Sequence, residues 1–304
     1  MLMNIFNMLS SPLLSHIIVR ALTVGVLVSL CASVLGVTMV LRRMSMIGDG
    51  LSHAGFGALA VATVLNVGGE YRMEISIPIV MLSAFILMRL SDRGKMGGDA
   101  AIAVMSTGMM TAGVIIFSMT TGYTSDMCSS LFGSASILTL TDKNLYLSIV
   151  LSVAVIILFL LFYTRIFSVT FDEQFSAATG VRADLYKIII SILISVTVVI
   201  GMNMIGAIMI SALIVFPALT AMRICKSFRG VIITAAVYSV VCFMIGFVIS
   251  CELAIPAGAA VVAVDLLAFT VTCAIKAICK RRAIYAVKRE AYNATDTSGD
   301  SGKV

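Results

Sequence analysis

The sequence predicts an all-α integral membrane protein, a polytopic bundle of eight to nine transmembrane helices with its N-terminus outside and its C-terminus in the cytoplasm. Of the 304 residues, 60 % are apolar and only 12 % are charged, whereas soluble domains are about 25 % charged. The apolar residues fall in long runs that approach the roughly 20 residues a membrane-spanning helix needs. The basic residues lie almost entirely on one side of those runs.

Nine apolar segments are candidate spans. They are 17–41, 46–67, 73–90, 99–120, 144–164, 186–202, 204–222, 230–250 and 255–279. The stretch 186–222 is nearly continuous, and its only break is "GMNMIG" at 201–206, which predicts either a tight hairpin or a kink.

The distribution of lysine and arginine supports nine spans and fixes the predicted orientation. With a hairpin at 201–206, all of the 21 basic residues except Arg20, Arg72 and Lys143 fall on one side. Cytoplasmic connections of membrane proteins carry this excess. The net charge of +6 is therefore explained by the bilayer, and no nucleic-acid partner is predicted.

The chain divides into three parts. Residues 1–15 form an outer segment that lacks the features of a cleaved export signal, and residues 16–283 form the membrane domain, in which 165–187 is a long cytoplasmic connection. Residues 284–304 are polar and predict a disordered cytoplasmic tail. The outer connection 121–143 contains Cys128, for which a disulfide with Cys251 is conceivable.

One acid and one histidine stand out in the second span, within "RRMSMIGDGLSHAGFGALAVA" at 42–62. Asp49 and His53 are four residues apart, so their side chains share a helix face, and charge at bilayer depth is costly enough to indicate function. Carboxylate oxygen and imidazole nitrogen suit Mn, Fe(II) or Zn. Two ligands are half a site, which a symmetric pair of helices would complete. The alternative is that both residues hydrogen-bond within the bundle and fix helix packing.

Asp265, in the last span, is the other acid at bilayer depth. It could be a second waypoint for a cation, or a buried acid that stays neutral, and the second interpretation is preferred.

A short cytoplasmic segment, 171–182, has amphipathic character. Phe171 and Phe175 share one face, Asp172, Glu173 and Gln174 are polar, and Gly180 predicts a helix stop. Such a helix could dock on an ATPase or could be solvated without a partner. The chain has no phosphate-binding GxxxxGK[ST] motif, so ATP would have to bind to another chain.

Four stretches resemble one family in the right order. "MIGDGLSHAGFGALAVA" resembles the "GDALSHA" signature of the ABC-transporter permeases that import zinc, manganese or iron(II), and "SSLFGSASILTLTDKNL" at 129–145 is similar to their outer segment. The stretch 171–229 and "IPAGAAVVAV" at 255–264 are similar to the remaining two motifs.

The resemblance implies a multi-pass permease of a prokaryotic cytoplasmic membrane. It implies as partners two cytoplasmic ATPase subunits, an extracytoplasmic metal-binding protein and a second permease copy. Asp49 and His53 fall on the family's metal-path positions, while Asp265 lies where the family is normally apolar. No permanently bound cofactor is expected, since the metal is cargo and ATP binds the partner. The chain is then a transport subunit and not an enzyme; the alternative is a secondary transporter or channel that works without an ATPase.

Overall fold

The computed structural model describes residues 12–42, 44–65, 72–93, 98–120, 142–253 and 255–300, and in this part of the chain every regular element is an α-helix. The helices are α1 Pro12–Leu41, α2 Met46–Val64, α3 Arg72–Arg93, α4 Gly98–Thr120, α5 Asp142–Leu161, α6 Tyr163–Phe171, α7 Glu173–Ala178, α8 Ala183–Ile205, α9 Ala207–Ile224, α10 Phe228–Leu253 and α11 Ala257–Asp300.

Each predicted span coincides with a helix, and seven of the described helices contain a stretch that is long and apolar enough to cross a membrane. The two remaining predicted spans correspond to α2 and α3. In α2, Asp49, His53 and several glycines lower the hydropathy, and in α3 the apolar part is the shorter stretch Met73–Leu87. The all-helical membrane fold is confirmed. That all nine helices cross the bilayer, and the orientation of the termini, remain predictions.

The centre of the bundle is formed by α1 and α8, the two most buried of the seven candidate spans. Their buried hydroxyls are satisfied within the helix. For example, Ser195 Oγ donates to the Ser191 carbonyl at 2.7 Å and Thr197 Oγ1 donates to the Leu193 carbonyl at 2.8 Å. Because a bilayer offers no water to polar groups at this depth, such local bonds are what allow these residues inside a span.

The break predicted at 201–206 is a sharp turn at a single residue. Gly206 separates α8 from α9 with φ +102° and ψ 154°, a conformation that side chains disfavour. A Cβ on Gly201 would meet the Ile210 side chain at 2.4 Å, so the chain folds back on itself here. Of the two alternatives left open by the sequence, the geometry favours two separate helices.

Two segments predicted to be cytoplasmic differ from expectation. The single short helix expected over 171–182 is divided, because α6 continues from the membrane side to Phe171 and α7 begins after Asp172. The disordered tail expected at 284–304 is helical to Asp300 as part of α11. The residues after 276 are rich in the helix formers Ala, Lys, Arg and Glu, and extending a helix that already exists costs little.

The N-terminal segment 1–11 and the outer stretch 121–141, including Cys128, lie outside the described residues. Cys251 carries a free thiol in the described part.

Candidate metal path

Helix α2 exposes one narrow face along its first four turns. Among residues 46–60, only Met46, Asp49 and His53 escape full burial. Their spacing of three and then four residues places them on one side of the helix. The rest of the helix packs against α3, α4, α8 and α9, so this face is the side of α2 that its own chain leaves open.

The Asp49 and His53 side chains approach each other on that face. His53 Nε2 lies 3.6 Å from Asp49 Oδ2, and the two side chains are 22 % and 48 % exposed. His53 Nδ1 is buried and has no hydrogen-bond partner among the described residues. Ligand atoms that each lie about 2.1 Å from one ion can be up to about 4 Å apart. The observed separation therefore allows one cation to bind both atoms.

The pair is incomplete as a metal site within one chain. No group of three or more His, Cys, Asp or Glu side chains that could hold a metal occurs in the described part. Transition-metal sites usually supply at least three protein ligands. The missing ligands would have to come from elsewhere, and the open side of α2 is where they could enter.

Glycines hold α2 tightly against its neighbours. A Cβ on Gly57 would lie 2.7 Å from the Met109 carbonyl oxygen of α4, and a Cβ on Gly55 would lie 2.8 Å from the Met202 side chain of α8. Small residues permit this close approach of membrane helices. The glycines around the pair thus place α2 in direct contact with α4 and α8, and α2 has little freedom to move independently of the bundle.

Asp265 lies apart from this pair. It is fully buried in α11, and neither carboxyl oxygen has a hydrogen-bond partner among the described residues. The hydroxyl of Tyr238 in α10 donates to the Asp265 backbone carbonyl at 3.0 Å, and the Cys242 thiol lies alongside. Since the described residues contain no three-membered metal cluster, Asp265 and the α2 pair do not form one site.

The connection formed by α6 and α7 has two exposed phenylalanines. Phe171, at the end of α6, is 59 % exposed and Phe175, in α7, is 65 % exposed. Asp172 Oδ1 accepts a hydrogen bond from the Phe175 backbone N–H at 2.8 Å and so caps α7, a role that suits aspartate. Gly180, at φ +84°, follows the end of the helix, as its position in the sequence predicts.

Glu173 does not simply face solvent. One of its carboxyl oxygens pairs with Lys187 Nζ of α8 at 2.5 Å, and the other lies 3.6 Å from a guanidinium nitrogen of Arg42 at the end of α1. Both basic side chains are only 8 % exposed. Arg42 stands four residues before α2. A single carboxylate of the connection is therefore tied to two helices, one of which leads directly into the helix of Asp49 and His53.

Comparison with known proteins now decides the family. Residues 15–276 match the model of a family described as the ABC 3 transport family. The chain belongs to this family.

Relatives agree with this membership, and a solved structure shares the fold. A "Probable metal transport system membrane protein" of Thermotoga maritima is 31 % identical over 245 residues, which cover 81 % of this chain and 85 % of the relative. The manganese import system permease protein ScaB of Streptococcus gordonii is 25 % identical over 84 % of this chain and 90 % of its own. The structure of PsaBC from Streptococcus pneumoniae in complex with Fab matches with a TM-score of 0.77 at 24 % identity, over 90 % of this chain and 95 % of that chain. This member of the ABC 3 transport family is thus a multi-pass membrane permease.

Sequence reasoning about this ABC 3 family member misses the partners of its acids. The carboxylate of Glu173 meets Arg42 and Lys187, and Asp265 meets Tyr238 and Cys242. For Arg42 and Lys187, the one available signal is their position at the ends of spans that are predicted to be cytoplasmic. Nothing in the sequence pattern joins them to Glu173, because the three residues come from separate elements.

Proposed function

We propose that this chain is the membrane-spanning permease subunit of an ATP-driven importer of a divalent transition metal, and that Asp49 and His53 line the path of the ion. The observation that carries the proposal is the pair itself: two metal-ligating side chains 3.6 Å apart on the one open face of an otherwise buried helix. Charged groups at bilayer depth are rare and mark ion paths.

A second copy of the chain completes the path. If two α2 helices face each other across a two-fold axis, each contributes one carboxylate and one imidazole, and the pair becomes a set of four ligands. A two-fold interface brings the same patch of both copies together. The narrow stripe of Met46, Asp49 and His53 is such a patch, because its own chain leaves it uncovered.

We propose manganese as the transported ion. Relatives with similar sequences are named manganese import permeases, and mixed oxygen and nitrogen ligands accept Mn, Fe(II) and Zn. Asp265, buried apart from the pair, is assigned no contact with the ion at this level of the path. An extracytoplasmic metal-binding protein would deliver the ion to the outer surface.

The ATPase subunits dock on the connection formed by α6 and α7. Phe171 and Phe175 provide exposed apolar anchors of the kind that dominate protein interfaces. Asp172 and Gly180 fix the start and end of α7. Glu173 transmits displacement of α7 to α1 and α8 through Arg42 and Lys187, and the end of α1 leads into α2.

The test is metal accumulation in cells that carry the intact transporter, with the permease gene replaced by variants. His53→Ala should reduce ATP-dependent manganese accumulation by at least about 10- to 100-fold, since even loss of a group that supports a ligand costs that much. Thr63→Ala is the matched control, because Thr63 is on the same helix and its hydroxyl only donates to the Leu59 carbonyl. Normal accumulation by His53→Ala, with the complex assembled, would remove the pair from the path.

A further inference from the structure

A large cavity in the described part of the chain lies away from Asp49 and His53. It is a groove of about 520 Å³ between α1, α5, α6 and α10. Its walls are almost entirely apolar, with residues such as Val34, Val155 and Ile232, and Leu160 and Ile233 at its rim are 64 % and 63 % exposed. A groove of this size is within the range of ligand sites.

One end of the groove is polar. Arg229 in the first turn of α10 lines it together with Tyr163 and Thr164. Arg229 is exposed and forms no ion pair with any described residue, and the first turn of α10 contains no acidic residue. The groove thus combines a long apolar wall with an uncompensated positive charge at one end, on the side that the basic residues predict to be cytoplasmic.

The depth of the groove matches one leaflet of a bilayer. The lining residues of α5 and α6 run from Val155 to Thr164, which corresponds to about 13 Å along a helix. Half of the hydrocarbon core measures about 15 Å. An acyl chain that enters at the cytoplasmic headgroup level would therefore reach the inner end of the groove near mid-membrane.

We propose that the groove binds an anionic phospholipid of the cytoplasmic leaflet, with one acyl chain along the apolar wall and the headgroup phosphate on Arg229. An empty groove would forfeit dispersion contacts along its lining, so an acyl chain fills it. The apolar wall cannot distinguish one lipid from another, because lipid tails are as apolar as its side chains. Selectivity comes from the guanidinium, since basic pockets between membrane helices bind anionic headgroups.

A second permease copy fits the groove less well. A two-fold contact through this face would bring Arg229 of one copy towards Arg229 of the other, and α2, which carries the proposed contact between copies, is not among the helices that line the groove. The inference is also independent of which ion is transported, because no residue of the metal path takes part.

The experiment measures lipid binding to the purified transporter complex by native mass spectrometry, with dioleoylphosphatidylglycerol and dioleoylphosphatidylcholine added in equal amounts. The wild-type protein should retain phosphatidylglycerol preferentially. Arg229→Gln should weaken that preference about fivefold, the effect of one basic side chain near an anionic surface, and Arg229→Lys should keep most of it. Arg165→Gln is the matched control, because Arg165 is an exposed cation of α6 that does not line the groove.

A second variant separates the groove from general surface charge. Leu160→Trp, at the exposed rim, should reduce the number of retained lipids while the complex stays assembled. Equal retention of both lipids by the wild-type protein would overturn the inference, as would equal effects of Arg229→Gln and Arg165→Gln. Loss of the second permease copy in Leu160→Trp with lipid retention unchanged would also overturn it, since the groove would then be an interface between copies.

Discussion

At the scale of single residues, burial and neighbouring groups distinguish three sets of charged or polar side chains inside the bundle. Asp49 and His53 are half-buried on the open face of α2, and Glu173 neutralises two buried cations. Asp265 has neighbours but no hydrogen-bond partner for its carboxyl oxygens among the described residues. The functional proposals rest on the first two groups.

Glycine at the contact between α2 and α4 provides a residue-scale prediction. Gly57→Ala should lower the melting temperature of the purified protein, because the new Cβ would lie 2.7 Å from the Met109 carbonyl oxygen and overpacking costs about 1–3 kcal/mol. Gly108→Ala, on α4, adds a Cβ with no neighbouring atom within 4 Å and should be neutral or should stabilise the helix by up to about 1 kcal/mol. Equal melting temperatures of the two variants would contradict the tight contact.

The candidate site could be predicted from the sequence only where its signal is local. Asp49 and His53 are detectable because polar residues in an apolar run are rare and their spacing fixes a shared face. The half-buried state of the pair could not be predicted, since it depends on which sides of α2 are covered by α3, α4, α8 and α9.

At the scale of elements, hydropathy locates the helices well because each span carries its own apolar run. The divided connection is harder to predict. Asp172 both ends α6 and caps α7, and a cap residue within an amphipathic pattern looks like one more polar position. The helical tail is hard to predict for the opposite reason, since its composition is polar while its residues favour extension of an existing helix.

The carboxylate of Glu173 gives an element-scale prediction about coupling. Glu173→Gln should leave the complex assembled, because Glu173 is 45 % exposed and the amide oxygen of glutamine can still accept hydrogen bonds from Lys187 and Arg42, but metal accumulation should fall while ATP hydrolysis continues. Both activities would be measured on the same reconstituted transporter. Asp184→Asn, which removes an exposed acid in the first turn of α8, should change neither. Accumulation and hydrolysis that fall together in Glu173→Gln would argue for lost docking instead of lost transmission.

At the scale of the whole molecule, the described helices form a bundle that leaves the stripe of Met46, Asp49 and His53 uncovered, and the proposed second copy would cover it. The sequence predicts the bundle through its composition, and the family comparison agrees. A single chain's sequence does not reveal how two copies meet, because an interface is a property of surfaces and the open stripe on α2 becomes visible only when the helices are packed.

Cross-linking tests this arrangement. A cysteine at Met46, which is 54 % exposed on the stripe, should form a disulfide-linked dimer on oxidation in membranes, above the background of the native cysteines. A cysteine at Val237, which is 58 % exposed on α10, is the matched control and should not. Dimer formation by the Val237→Cys variant alone would place the contact between copies on another face.

The most direct measurement of the central claim is the content and ligand environment of manganese in the purified complex. Electron paramagnetic resonance should detect one bound Mn²⁺ for each two permease chains, with nitrogen coupling from imidazole that disappears in His53→Ala and persists in Thr63→Ala. A bound ion whose spectrum shows no nitrogen ligand, or whose signal is unchanged when His53 is replaced, would contradict the account.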